Sequence, residues 1–179
     1  MIVESVYFLL PAALANMMPV FVKNYFKILE YPLDFNFKFF DGKRILGAHK
    51  TFRGLIFGIL GAMIVALIQK NLHTNYIFNA VSLVNYSEIN ILLFGFLMGF
   101  GVIFGDALGS FVKRRFNFKP GESFYLLDQA GSALGIGMFV VPFYSIIFNN
   151  YVYIFLFWIL GHFFIKFIGY IMKVDDRVV

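Results

Sequence analysis

The stretch from Ile91 to Val112 reads ILLFGFLMGFGVIFGDALGSFV and is followed at once by the basic triplet Lys113-Arg114-Arg115. It is long and apolar enough to cross the hydrocarbon core of a bilayer, which takes about 20 residues of helix. Asp106 is its only charged residue, and an acidic side chain inside a span is costly enough to indicate a functional site. The stretch therefore predicts a bundle of membrane-spanning helices and indicates where its chemistry lies.

Four further segments of similar composition predict four more spans. They cover residues 2–22, 52–69, 124–148 and 151–172, so we expect an all-α integral membrane protein of about five transmembrane helices. Only Asn149 and Asn150 separate the last two segments, which predicts a tight helical hairpin. Of the 179 residues, 60% are hydrophobic and 14% are charged, whereas a soluble domain carries about 25% charged residues. We expect one polytopic membrane domain over residues 1–179.

The basic residues predict the orientation, because Lys and Arg are retained on the cytosolic side of a membrane. All but one of the 15 Lys and Arg residues lie between the first two spans, just after the third span, or near the C-terminus. The exception is Lys70. We therefore expect the N-terminus outside, the C-terminus in the cytosol, and a long cytosolic loop over residues 23–53. The stretch from Val20 to Phe40, which leads from the first span into this loop, is typical of an interfacial segment on the membrane surface.

Glycines at four-residue spacing predict close contacts between helices. Small residues on one face let the backbones of membrane helices approach each other. We assign these glycines to packing and not to chemistry. They are Gly54 and Gly58 on the second span, Gly101, Gly105 and Gly109 on the third, and Gly131 and Gly135 on the fourth.

Acidic and basic residues converge at the cytosolic end of the third and fourth spans. Asp106 and Asp128 fall at similar depth, because one short loop joins the two helices. Ser110, Lys113 and Arg114 share a helical face with Asp106. Carboxylate oxygens suit Mg²⁺, which commonly reaches phosphates through one or two such ligands, and Lys and Arg suit phosphate charge.

A second basic cluster, Lys50-Thr51-Phe52-Arg53, stands at the start of the second span. A helix N-terminus there would add backbone N–H donors for an anion. Together the clusters predict a membrane-embedded, cytosol-facing site for a metal-bound polyphosphate. The plainer alternative treats the basic residues as positive-inside flanks, pairs Asp106 with Lys113, and makes Asp128 a helix N-terminal charge.

At these residues the chain resembles the CDP-archaeol synthase family, membrane cytidylyltransferases that activate an archaeal lipid phosphate with CTP. The resemblance covers nearly the whole length and rests on blocks that occur in a fixed order. They are PAALANMMP (11–19), PLD (32–34) through FFDGKRILG (39–47) with KTFRG (50–54), and GDALGSFVKRR (105–115) with KPG (119–121) and LDQ (127–129). The last block is also similar to the signature of bacterial CDP-diacylglycerol synthases.

The resemblance implies five transmembrane helices, Mg²⁺ as cofactor, and the reaction of CTP with 2,3-di-O-geranylgeranylglyceryl phosphate to give CDP-archaeol and pyrophosphate. It implies a multi-pass protein of the cell membrane whose active site faces the cytosol. By matching position, Asp106 and Asp128 would bind the metal and, with Lys113 and Arg114, form the catalytic set. The residues that would hold phosphates of CTP or of the lipid are Lys50, Thr51, Arg53, Ser110, Lys119, Asp41, Arg44 and Asn16.

Three positions depart from the family pattern: Lys166 stands where the family would have Asn, and the other two leave the number of metals, one or two, open. The family often has an acid where this chain has Ala48, and usually an acid three residues after Asp128, where this chain has Gly131. The alternatives are a CDP-diacylglycerol synthase acting on phosphatidic acid, a non-catalytic relative or small membrane protein, and a transporter. Transporters commonly show internal repeats, and we find none. No nucleic-acid partner is indicated, and the oligomeric state, including a homodimer, is open.

Overall fold

The computed structural model describes residues 2–118, 124–144 and 148–171, without the side chains of 24, 125–128, 148–149 and 162–171. Within these ranges the chain folds into helices joined by loops. They are α1 (Ile2–Tyr25), α2 (Phe52–Leu72), α3 (Tyr76–Ala80), α4 (Ile91–Arg115), α5 (Tyr125–Phe139) and α6 (Phe148–Ile171). The short α3 lies in the loop between the second and third predicted spans and was not predicted.

Three helices in the described part are long and apolar enough to cross a membrane: α1 over Ile2–Lys23, α2, and α4. The apolar run described within α6 is shorter, Asn150–Gly161. Helix α5 has 15 residues, which makes about 22 Å of helix at 1.5 Å per residue, less than the ~30 Å of a bilayer core. The predicted all-helical membrane fold is thus confirmed, whereas the number of spans and their orientation stay predictions.

The boundary between α5 and α6 differs from the predicted one. The helix predicted over 124–148 ends at Phe139, and Asn149 and Asn150 lie in the first turn of α6 instead of a connecting loop. Pro142 explains the early end, since proline has no N–H for the helical hydrogen bond and disfavours helical geometry in the residue before it. The composition stays apolar through this region and hides the break.

Helix α4 is central and packs most extensively on α5 and α2. Glycine allows the close approach to α2. A Cβ added to Gly95 would lie 2.6 Å from the Cα of Met63, and one added to Gly99 would lie 2.6 Å from the Cα of Ile59. These two glycines were not singled out from the sequence, although they follow the same four-residue spacing.

The close helix packing predicted from the glycine spacing is found between α4 and α5. A Cβ on Gly101 would lie 2.8 Å from the carbonyl oxygen of Gly135, and one on Gly131 would lie 2.5 Å from the carbonyl oxygen of Gly105. The two backbones therefore touch, with α5 antiparallel to α4. This register brings the first turn of α5, which contains Asp128, to the same end of the bundle as the C-terminal part of α4.

We expect Gly131→Ala to destabilise the protein, because the new methyl group would meet the backbone of α4. Overpacking of this kind typically costs about 1–3 kcal/mol. Gly161→Ala is the matched control, since a Cβ there meets none of the described neighbouring atoms within 4 Å and alanine favours a helix over glycine by about 1 kcal/mol. Thermal unfolding in detergent measures both, and equal melting temperatures for Gly131→Ala and wild type would contradict the contact.

Asp34 organises the loop between α1 and α2. Its buried carboxylate accepts hydrogen bonds from Arg44 at 2.6 Å and from the backbone N–H groups of Asn36, Leu46 and Gly47 at 3.0–3.1 Å. Burial by itself raises the pKa of Asp34, but the bonds from Arg44 and the backbone outweigh it and lower the pKa to about 2. One charged group thus fixes a loop that has no regular secondary structure over most of its length.

Candidate functional site

An open polar cleft of about 590 Å³ lies where α1 ends and α2 begins. Its walls come from α1, from the loop before α2, and from α4. Five predicted site residues line it: Asn16, Lys50, Thr51, Arg53 and Asp106. Sequence analysis missed the polar lining residues Lys23, Glu30 and His49.

An ion pair between Lys50 and Asp106 joins the two predicted clusters. The Nζ atom of Lys50 donates to Oδ2 of Asp106, and the side chains are 24% and 25% exposed. The two residues are 56 positions apart in the chain, so only the tertiary fold brings them together. Opposite charges attract more strongly in this partly buried setting than in bulk water. The pair places one cation and one carboxylate in the wall of the cleft.

The start of α2 does not offer the free backbone donors that the sequence predicted for an anion. The N–H groups of its first three residues donate to the carbonyls of Tyr31 (3.0 Å) and Leu29 (2.8 Å) and to Oγ1 of Thr51 (3.2 Å). The loop crosses the end of the helix and satisfies them. That part of the prediction is wrong, and Thr51 serves as the N-cap of α2.

Arg53 ties the loop to the end of α1. Its guanidinium donates to Glu30 at 2.6 Å and to the carbonyl oxygen of Phe26, and its side chain is 7% exposed. Glu30 remains half-exposed at the cleft. Arg53 therefore lies in the predicted site, with its Nη1 donors already used by the fold.

Beyond Asp106, the predicted face of α4 is buried. The Ser110 hydroxyl donates to the carbonyl oxygen of Asp106 at 3.1 Å, and Lys113 and Arg114 are also buried. Arg114 donates through Nη1 to the carbonyl oxygen of Phe118 and so closes the last turn of the helix. Its Nε is buried and finds no acceptor in the described part of the chain.

Two of the predicted phosphate ligands lie in the loop and do not line the cleft. Arg44 is bound to Asp34, and Asp41 forms an ion pair with Arg115, with 3.0 Å between Oδ1 and Nη1. Arg115 also donates to the carbonyl oxygen of Arg44 at 2.6 Å and lies over the ring of Phe39. These residues hold the loop against the C-terminal end of α4.

The assignment of Asp106 and Asp128 as metal ligands can be compared with the structure only at Asp106. Lys119 lies outside the described residues, as does the side chain of Asp128, whose backbone is in the first turn of α5. Among the described side chains, no group of three or more potential metal ligands occurs. Asp106 nevertheless offers a carboxylate at the cleft, and Mg²⁺ commonly takes one or two protein carboxylates and completes its shell with phosphates and water. This carboxylate is of the oxygen-ligand type that Mg²⁺ takes.

The fold and the site define a polytopic membrane protein with a charged cleft at one end of its helix bundle. A family model described as CarS-like, CDP-archaeol synthase, matches residues 1–178. The chain therefore belongs to the CDP-archaeol synthase family, as its sequence motifs predicted.

Individual relatives agree with the family match. The chain is 38% identical over 142 residues to a CDP-archaeol synthase of Methanocaldococcus jannaschii, covering 76% of this chain and 80% of the relative. It is 33% identical over 147 residues to one of Methanococcus maripaludis, covering 82% and 79%. A solved structure described as an intramembrane enzyme for archaeal membrane lipids biosynthesis superposes with a TM-score of 0.68 at 26% identity, covering 90% of this chain and 92% of that chain.

Proposed function

We propose that this protein transfers the cytidylyl group of CTP to 2,3-di-O-geranylgeranylglyceryl phosphate, giving CDP-archaeol and pyrophosphate. The observation that carries the proposal is the Lys50–Asp106 pair in the wall of an open cleft at the end of a membrane bundle. A nucleotide from the aqueous side and a lipid phosphate from the bilayer can meet there. The names of the relatives favour the ether lipid over phosphatidic acid.

The reaction needs positioning and charge stabilisation more than acid–base chemistry. An oxygen of the lipid phosphate bonds to the α-phosphorus of CTP while the bond from that phosphorus to the pyrophosphate oxygen breaks. The nucleophile is already an anion, so no strong base is required, and oriented cations supply most of the catalysis. Lys50 can turn its ammonium from Asp106 to a phosphate, and Lys113 and Arg114 lie further along the same helix as Asp106.

Asp106 and Asp128 are the residues that would hold Mg²⁺. The shared end of α4 and α5, set by the glycine contact, supports this pairing. When bound, Mg²⁺ would offset charge on the phosphates. Gly131 lies against the backbone of α4, so an acid at that position could not fit without moving α5.

Incubation of the purified protein with labelled CTP and a panel of lipid phosphates tests the proposal. We expect a CDP-lipid from the isoprenoid ether phosphate, and a slower reaction with phosphatidic acid. EDTA should stop the reaction and Mg²⁺ should restore it, because oxygen ligands favour a hard cation. Faster turnover of phosphatidic acid would support the bacterial-type reaction, and full activity in EDTA would remove the metal assignment.

We also propose that the chain crosses the membrane five times and that the cleft faces the cytosol. Both basic loops meet at the cleft end, since Nζ of Lys43 donates to the carbonyl oxygen of Arg115 at 3.0 Å. The chain has no cysteine, so single-cysteine variants can be made without altering the background.

A membrane-impermeant maleimide on intact cells measures this orientation. We expect Tyr76→Cys, which is 86% exposed, to react from outside. Phe40→Cys, which is fully exposed in the loop before α2, should react only after the cells are opened. The opposite pattern would reverse the proposed topology.

A further inference from the structure

A second cavity adjoins the cleft and is entirely apolar. It has a volume of about 250 Å³ and lies between α4, the start of α2, and the loop. We call it the α4 groove. Its lining includes Leu33 and Leu46 from the loop, Leu55 from α2, and Phe100, Phe104 and Leu108 from α4.

The α4 groove and the cleft share their walls. Asp106 lines the cleft and Ala107, the next residue, lines the groove. The N–H of Leu33 donates to the carbonyl oxygen of Lys50 at 2.7 Å, beside the β-bridge between Pro32 and Thr51. The roof of the groove and the cation of the cleft are therefore parts of one hydrogen-bonded segment.

The Asp34 network holds both roof leucines in place. Leu33 precedes Asp34, and the N–H of Leu46 donates to its carboxylate at 3.0 Å. Both leucines are only partly buried, although the loop around them is rich in charge. The buried Asp34 carboxylate thus holds the side chains of Leu33 and Leu46 over the apolar groove. An apolar ligand in the groove would complete the burial of both leucines.

The floor of the groove continues along α4 away from the charged end. The rings of Phe100 and Phe104 stack at 5.6 Å, and Phe96 stacks on Phe100 at 5.8 Å. The lining from Phe100 to Leu108 extends over about 12 Å of helix at 1.5 Å per residue. An apolar track that begins beside a cation and a carboxylate matches a lipid phosphate, with its head at the cleft and a chain along the helix.

We infer that the α4 groove binds a hydrocarbon chain of the lipid phosphate substrate while its phosphate lies near Lys50 and Asp106. This inference rests on the proposed function. The chain buries apolar surface on the protein and so fixes the phosphate oxygen near the nucleotide. A separate apolar cavity of about 250 Å³ lies near the start of α1, beside Leu10 and Trp158, at the end of α1 remote from the cleft, and we do not assign it to the substrate.

Filling the groove tests the inference. Leu108 is 44% exposed, so Leu108→Trp narrows the groove with little loss of packing. Each buried CH₂ is worth about fourfold in binding. We expect kcat/KM for a long-chain lipid phosphate to fall at least tenfold, which corresponds to the loss of about two buried CH₂ groups. The KM for CTP should stay unchanged. The rate with a short-chain, water-dispersible lipid phosphate should also stay unchanged.

Leu10→Trp, which fills the remote cavity, is the matched control and should leave both substrates unaffected. Equal losses on the long-chain and short-chain substrates in Leu108→Trp would overturn the inference. So would an unchanged rate in that variant, or an equal loss in the control.

Fluorescence gives a readout that does not depend on turnover. Trp158 is the only tryptophan in the chain, so Trp158→Phe provides a silent background for Leu108→Trp and Leu10→Trp. A lipid phosphate with brominated chains should quench the tryptophan at 108 more than brominated phosphatidylcholine does at the same mole fraction, and should show no such preference at 10. Equal quenching by both lipids at 108 would mean ordinary bilayer contact and would overturn the inference. If the brominated lipid phosphate quenched Leu108→Trp preferentially but wild type formed no CDP-lipid, the proposed reaction would be rejected. The inference that the groove binds the lipid chain would then still hold.

Discussion

Asp106→Asn is expected to lower turnover with CTP by on the order of 10³-fold, comparable to the removal of a charge-stabilising group from an active site. The substitution keeps the shape of the side chain but removes its charge. It therefore removes a hard oxygen ligand from the cleft and leaves Lys50 without its partner. Steady-state cytidylyl transfer by correctly folded protein measures the effect.

The double variant Asp106→Asn with Lys50→Gln separates catalysis from folding. Loss of one partner of a partly buried ion pair destabilises a protein, whereas loss of both is nearly neutral. We expect the double variant to recover the melting temperature of wild type and to stay inactive. Recovered activity in the double variant would show that Asp106 only neutralises Lys50. Asp41→Asn, at a carboxylate that does not line the cleft, is the control and should keep most of the activity.

Asp34→Asn should unfold the loop before α2. The buried carboxylate accepts bonds from Arg44 and from three backbone N–H groups, and breaking a buried pair on one side costs about 3–5 kcal/mol. Limited proteolysis of the loop should show faster cleavage in this variant. CTP turnover should fall as well, because the same loop carries Lys50.

Asp41→Asn is also the control for the loop. Asp41 pairs with Arg115 at 3.0 Å but is 34% exposed, and an exposed pair contributes about 0–1 kcal/mol. Equal protease sensitivity of the Asp34 and Asp41 variants would contradict the central role of Asp34.

The same carboxylate predicts a pH dependence of the loop. The pKa of Asp34 in the folded protein is about 2, below its ordinary value of 3.8. A lowered pKa means that the stabilisation is complete above the ordinary value and is lost as the pH falls toward the folded one. Wild-type protein should therefore become protease-sensitive in the loop between about pH 4 and pH 2. The Asp34→Asn variant should show no such step.

The sequence by itself determined the class of the protein, its all-helical membrane fold and the helix that carries Asp106. These features are local: an apolar run of sufficient length must lie in lipid, and a four-residue glycine spacing puts small residues on one helical face. The contact of Gly101 and Gly131 with the facing backbone agrees with that spacing. The motifs around Asp106 also indicated the family that the comparisons then showed.

Only the tertiary structure decided which charges meet. Lys50 pairs with Asp106, and Arg53 with Glu30, across 56 and 23 positions of the chain. Such contacts have no period in the sequence, because they depend on how a loop folds back over the helix ends. In the folded loop, the backbone N–H groups at the start of α2 donate to carbonyl oxygens and to Thr51. Arg44 pairs with the buried Asp34 instead of lining the cleft, because a buried carboxylate is costly without a cationic partner.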